Sequence, residues 1–420
     1  MNTIQIKKID ICNKTVKCQY EVEGSWEKYF NKDIIPEITY DIDISTVPKS
    51  ILIIPFVCNI LPIVWLCNAT LIAGYIDKDF MEHIEEIKRG YKEMFPQFNF
   101  RGNISAKAQQ NISSDRIKKA AVFFSGGVDA FTTLFRHLEE MPLLLTIWGA
   151  DISLKNEAGW NQVNNYVKKT AKNFQLDYIA IKSNFRTVIN ISKLNQLVKA
   201  SGDGWWHAFQ HGISIISHAS PIAYLYGLQR VYIASSFPSS MKGNYVCASD
   251  PVIDNYVYFC GCRTIHDGYE LNRQDKVHYL VSKVEESAIP IELRVCWEST
   301  GGENCCHCEK CYRTILEIIS EGGDPNEYGF QWEPSDIIRC KKDMKRKITL
   351  PPFFTEQFYP IIQSTFSKNK EKIKDYDKYE WLQKIDFNKF NDMPIKKIRY
   401  CLIARGIKKM FRKISRKIDR

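Results

Sequence analysis

Short uninterrupted apolar runs recur through the middle of the chain and predict strands buried on both faces. They are Ala-Ala-Val-Phe-Phe124 after Lys119, then residues 143–148, 178–182 and 230–235. Between them, residues 130–137, 156–174 and 208–226 carry helical spacing. Strands alternating with helices are the signature of a doubly wound parallel α/β sheet. Upstream the pattern changes. Residues 17–22 and 37–44 alternate polar and apolar like half-buried strands, and 79–92 reads as an amphipathic helix. Residues 50–75 hold no charge at all, which raises the question of a membrane span. Pro55, Asn59, Pro62 and Asn68 interrupt the stretch, so the expectation is a buried strand–helix–strand, with strands near 50–55 and 69–73. Residues 321–390 read as helices and loops rich in aromatics, such as Phe330, Trp332, Phe353 and Phe354, forming a small third domain or a cover on the core. The pattern predicts an N-terminal α/β domain over 1–112, a nucleotide-binding core over 113–322 and a helical C-terminal extension over 323–420.

Length and charge sharpen this division. A chain of 420 residues with 45% hydrophobic and 13% aromatic positions has room for two or three cored domains. Its net charge of +10 is local, because residues 396–420 carry eleven Lys/Arg and the single acid Asp419. The remainder sums to zero, which excludes a global nucleic-acid footprint. Ile398, Leu402, Ile407, Phe411, Ile414 and Ile418 recur at helical spacing through this tail. A basic amphipathic helix is expected, facing anionic lipid, nucleic-acid phosphates, an acidic protein or simply solvent.

The first chemical motif follows the strand ending at Phe124. Ser125-Gly126-Gly127-Val128-Asp129 joins that strand directly to a helix start. Glycines there allow close backbone approach, and turn amides with a helix N-terminus attract an anion. The Ser125 hydroxyl adds a donor, and Asp129 is suited to holding Mg²⁺ or the turn. No Gly-Lys-Ser/Thr follows, which excludes a Walker A loop. Ligands of parallel sheets collect at the carboxyl ends of strands, which nominates Ser125–Asp129, Asp151, Asn184 and Ser235. Arg186, Lys242, Arg263, His266 and Arg273 are the nearby cations. His211 and His218, on an apolar helix, read as structural.

The second motif is Cys296, Cys305, Cys308 and Cys311. Four thiolates at this spacing suit a closed tetrahedral Zn²⁺ site, with an iron–sulfur cluster as the alternative. Cys306 fits the spacing less well. The remaining cysteines of the fourteen are mostly scattered singly and no signal peptide pattern opens the chain, so a reducing cytosol is expected.

Together the two motifs resemble the SGGxDS signature of PP-loop ATP pyrophosphatases and, more narrowly, 7-cyano-7-deazaguanine synthase (QueC) and its relatives, over roughly residues 117–320. Ala130 stands at the last Ser of the signature, and Gln210-His211 where that family has an Arg-Asn pair. The resemblance implies a HUP-type fold, a structural zinc, and ATP with Mg²⁺ adenylating a carboxylate such as 7-carboxy-7-deazaguanine, with release of AMP and pyrophosphate. It implies nucleotide contacts from Ser125, Gly126, Gly127, Val128, Asp129, Asp151 and Ser235. Catalytic roles are expected for Asp129, Arg273 and Asp275, the latter two in a stretch standing at the family's Ser-Lys-x-Glu. Relatives in bacterial antiviral defence look able to attach a deazapurine to a protein, so a protein acceptor is a further expectation. A tRNA-modifying PP-loop enzyme and a non-catalytic nucleotide-binding module remain as alternatives. So does sulfur transfer through Cys247, Cys260 or Cys262.

Overall fold

The strands sort by the company their side chains keep. In the computed structural model, which describes residues 2–113, 118–245, 247–287, 289–299 and 302–391, the N-terminal strands alternate in burial. These are β1 (Thr3–Cys12), β2 (Thr15–Glu23) and β3 (Glu37–Tyr40). After them come β4 (Thr70–Asp77) and β5 (Asn103–Gln109). The apolar runs become β6 (Ala120–Phe123), β7 (Leu143–Trp148), β8 (Tyr178–Ser183) and β9 (Arg230–Ala234), followed by β10 (Tyr258–Phe259) and β11 (Cys262–Asp267). All four residues of β6 are buried, as expected of a strand covered on both faces.

These strands make one mostly parallel sheet, ordered β10-β11-β9-β6-β7-β8-β3-β2-β1-β4-β5. Its centre, β11-β9-β6-β7-β8, is parallel throughout. The chain winds outward from β6 through β7 to β8, then returns to β9 on the other side of β6. The strand order therefore reverses between β6 and β9, the position at which a crevice opens at the strands' carboxyl ends. Beyond β8 the sheet continues antiparallel through β3, with Ile38 opposite Ser183 and Tyr40 opposite Ile181. Residues up to Asn272 form one compact unit, and those from Arg273 onward a second. The expected boundaries at 112 and 322 do not coincide with this division, because β3 pairs with β8 and carries the N-terminal strands into the same sheet.

The expected strand at 50–55 is helical instead. Helices run over Lys49–Leu52 and Ile54–Leu66, with Pro55 in the first turn of the second, where its missing N–H costs nothing. Twelve residues of Ile54–Leu66 are buried, so the apolar-all-round pattern belongs to a core helix. Among the described residues no helix is long and apolar enough to cross a membrane. The expected helix at 208–226 is broken: a π-turn over Trp206–Gln210 precedes helices His211–Ser217 and Ser220–Tyr226.

The second unit contains helices Arg273–Ser287, Glu309–Ser320, Pro334–Arg346 and Tyr359–Lys368. A buried ion network crosses it. Arg313 meets Glu309 at 2.9 Å and Glu317 at 3.6 Å, and Arg273 meets Glu317 at 3.0 Å. The expected tail helix over 396–420 lies outside the described residues.

Candidate functional site

Ser125 is exposed at the carboxyl end of β6, beside the order reversal. Gly126 has φ +80°, and a Cβ there would lie 2.4 Å from the Tyr166 ring, so this position requires glycine. Gly127 is extended and is the N-cap of helix Val128–Arg136, where it brings no side-chain hydrogen bond of its own. Asp129 sits in that first turn, half-buried. A glycine-capped helix N-terminus at the carboxyl end of a central parallel strand is a place for an anion.

The other nominated residues distribute unevenly. Asp151, exposed just beyond β7, acts electrostatically on Arg186 and His211. Arg186 donates to the Ala150 carbonyl at 2.5 Å and covers the Trp206 ring at 4.1 Å. Ser235, at the end of β9, is fully buried, and its hydroxyl donates to the Phe237 carbonyl at 2.6 Å. Asn184 is committed to β3, accepting from the Glu37 amide at 2.8 Å and donating to the Ile35 carbonyl at 2.8 Å. Lys242 pairs with Glu93 at 2.7 Å. In the second unit, Arg273 donates to Glu317 and to the Thr314 hydroxyl, and Asp275 is exposed in the first turn of its helix.

Sequence reasoning named Cys247 as a sulfur-transfer candidate and read His211 as structural, but it missed that the fold gathers them with His207 and Asp203. The His207 Nδ1 is hydrogen-bonded to the Asp203 carboxylate, one helical turn earlier. The Ala248 amide donates to the His207 carbonyl at 2.9 Å, which brings Cys247 onto the helix that holds His207 and His211. Burial alone would raise the Cys247 thiol, but hydrogen bonds and charge from His207 and His211 outweigh it and bring it down to about 6. The Asp203 and Cys247 partners raise His207 to about 10. Burial opposes charge on His211, yet Cys247 carries its pKa upward. Below them Asp254 is fully buried, accepts from Ser249 at 2.6 Å and from His266 at 2.8 Å, and is raised by desolvation. The signals in the sequence were Cys247 itself, near the expected substrate loop, and the i, i+4 spacing of His207 and His211. His218, by contrast, is structural as expected.

In the second unit, the sulfurs of Cys296, Cys305, Cys308 and Cys311 all lie within 4.8 Å of one another, with Cys296–Cys308 and Cys305–Cys311 both at 3.9 Å. A tetrahedron with Zn–S bonds of ~2.3 Å has sulfur–sulfur edges of ~3.8 Å, so the four positions fit a zinc ion. Backbone amides already point at the sulfurs: Ser299 to Cys296 at 3.3 Å, Cys308 to Cys305 at 3.3 Å and Cys311 to Cys308 at 3.4 Å. Cys308 also caps helix Glu309–Ser320, whose positive end favours a thiolate. Asn304 ties the ligand loops together, accepting from the Val295 amide and donating to the Leu293 carbonyl. Cys306 turns instead toward the Asn304 carbonyl at 3.6 Å. An alternative set, Glu298, Cys305 and His307, shares one ligand and has two exposed members.

No protein-family model matches this chain, and no curated protein matches it.

Proposed function

We propose that this chain is an ATP-dependent enzyme of the PP-loop class, similar to 7-cyano-7-deazaguanine synthase, that activates a carboxylate by adenylation. In this reading the sheet is a doubly wound HUP-type fold, and ATP with Mg²⁺ occupies the crevice beside β6. One observation carries it: the glycine turn with φ +80° at Gly126, leading into a helix capped by Gly127, at the reversal of strand order. Turn amides and the helix dipole would hold the phosphates, with Asp129 placed for Mg²⁺. Charge leaving with pyrophosphate needs such preorganised donors. The four-cysteine group is assigned a structural zinc, because four thiolates leave no open coordination position.

A deazaguanine acid is the proposed substrate class, its carboxylate destined for an amide or nitrile on ammonia or a protein amine. The cytosol is the proposed compartment. The test is formation of AMP and pyrophosphate from ATP and Mg²⁺ with and without 7-carboxy-7-deazaguanine, beside Asp129→Ala. Acid-dependent release that vanishes in the variant is the expected result. ATP binding without release under any acid would reduce the site to a nucleotide-binding module.

A further inference from the structure

The Asp203–His207–Cys247 cluster belongs to no part of the adenylation chemistry, yet it stands at the same end of the sheet. The His207 ring lies 6.0 Å from Phe237, which follows β9. Its neighbour Trp206 is covered by Arg186, which in turn holds the Ala150 carbonyl beyond β7. Cys247 itself is 4% exposed, while the His207 side chain is 39% exposed. The thiol therefore lies one residue deep beneath an imidazole that reaches solvent. The His211 Nδ1 is buried without a hydrogen-bond partner. The Ala248 amide bond to the His207 carbonyl holds Cys247 against this histidine, as a nucleophile is held beside a base. Two features reinforce this. His207 falls in a π-turn, a deformation found often at functional sites. Asp203 engages Nδ1, which leaves Nε2 as the nitrogen available to the thiol, the order of a nucleophile, base and orienting acid.

We propose that Cys247 is a nucleophilic thiolate, paired with His207 and oriented by Asp203, that accepts the activated acyl group as a thioester before an amine takes it. This rests on the adenylation reading above. The thiolate sulfur attacks the acyl carbon of the carboxyl adenylate, the bond to the phosphate oxygen breaks, and AMP leaves with that electron pair and with the proton of the His207 imidazolium, which leaves that ring neutral. An amine then attacks the thioester carbon, the C–S bond breaks, and the thiolate returns as His207 takes up the amine's proton. No oxidant or reductant is needed. Splitting the transfer gives an acceptor time to arrive while the acyl group stays bound to the protein.

Two measurements on the full chain test it. In the first, the protein is incubated with ATP, Mg²⁺ and 7-carboxy-7-deazaguanine without an amine, quenched in acid and analysed by mass spectrometry. The expected product is an adduct of the acid minus water on the Cys247 peptide, released by hydroxylamine and absent in C247S. Pyrophosphate release without that adduct overturns the thioester and leaves the adenylation reading standing. No pyrophosphate overturns both. The second needs no variant: iodoacetamide alkylation of Cys247 is followed against pH. The groups facing the thiol are His207, His211 and Tyr91, with Asp203 on His207, Asp151 acting on His211, and Asp254 bonded to His266 behind them. A reactive thiolate with a midpoint near pH 6 is expected in wild type, moved upward by more than one pH unit in H207A. A midpoint near that of an ordinary cysteine, or an inert thiol, overturns the proposal.

Discussion

At the scale of single residues, two glycines show how differently the same requirement can be read. A Cβ at Gly149, with φ +109°, would sit 1.9 Å from the Ser183 carbonyl oxygen, so its need is to let β7 pass a neighbouring backbone. The nearest atoms to a Cβ at Gly126 belong to the Tyr166 side chain and not to backbone, and the residue lies beside the proposed phosphate site. Gly126→Ala should therefore cost about 1–3 kcal/mol from its left-handed φ and the displaced ring, measured by urea unfolding. It should also weaken ATP binding by at least tenfold by calorimetry, because the turn amides move. A purely structural turn would lose the stability and keep the affinity. Gly149→Ala should destabilise more, since backbone cannot move aside. The strand, glycine turn and helix start around Ser125–Asp129 were legible because they are written in consecutive residues. The pairing of Cys247 with His207 was not, because the two stand 40 residues apart and only the fold brings them together.

At the scale of elements, the cysteine group was legible in full, since three of its ligands lie in one loop and helix start, and Cys296 needs only a short return of the chain. The helices around 50–66 were misread for a physical reason. A run apolar on every side has no period, and length and proline position must then decide between strand and helix. Purified protein should contain one zinc per chain by elemental analysis and show no absorbance from iron–sulfur charge transfer. Cys311→Ala should lose the metal, because its sulfur is buried between Cys305 and Cys308. Binding energy of a structural zinc is folding energy, on the order of 10 kcal/mol in small zinc domains. Amide exchange should consequently rise across 293–332 in that variant while β6–β9 stay protected. A visible iron spectrum, or full zinc retention in Cys311→Ala, would reject the assignment.

At the scale of the whole first unit, individual central strands were legible but their order was not, because pairing partners lie far apart in sequence and periodicity carries no neighbour information. The join between β3 and β8 is the clearest case, and one buried histidine reports on it. His218 donates from Nδ1 to the Ser214 carbonyl at 2.6 Å and accepts at Nε2 from the Ser183 hydroxyl of β8 at 2.9 Å. Its own carbonyl accepts from the Tyr40 hydroxyl of β3 at 3.2 Å. Complete burial depresses the imidazole to about 4. The unfolded chain takes up a proton near pH 6.5, whereas the folded one resists it until about pH 4. Between those values the unfolded state binds more protons, so stability falls as the pH falls and is fully present above 6.5. The depression corresponds to about 3 kcal/mol across the window. Urea midpoints measured from pH 7.5 to 4.5 should drop steeply in the wild type. His218→Asn should start lower, having lost one of its two side-chain hydrogen bonds, and decline less over the same range, because its carboxylates still titrate but the buried imidazole does not. Parallel slopes for the two proteins would mean that this ring is not held neutral, and that the β3–β8 junction is open to water at His218.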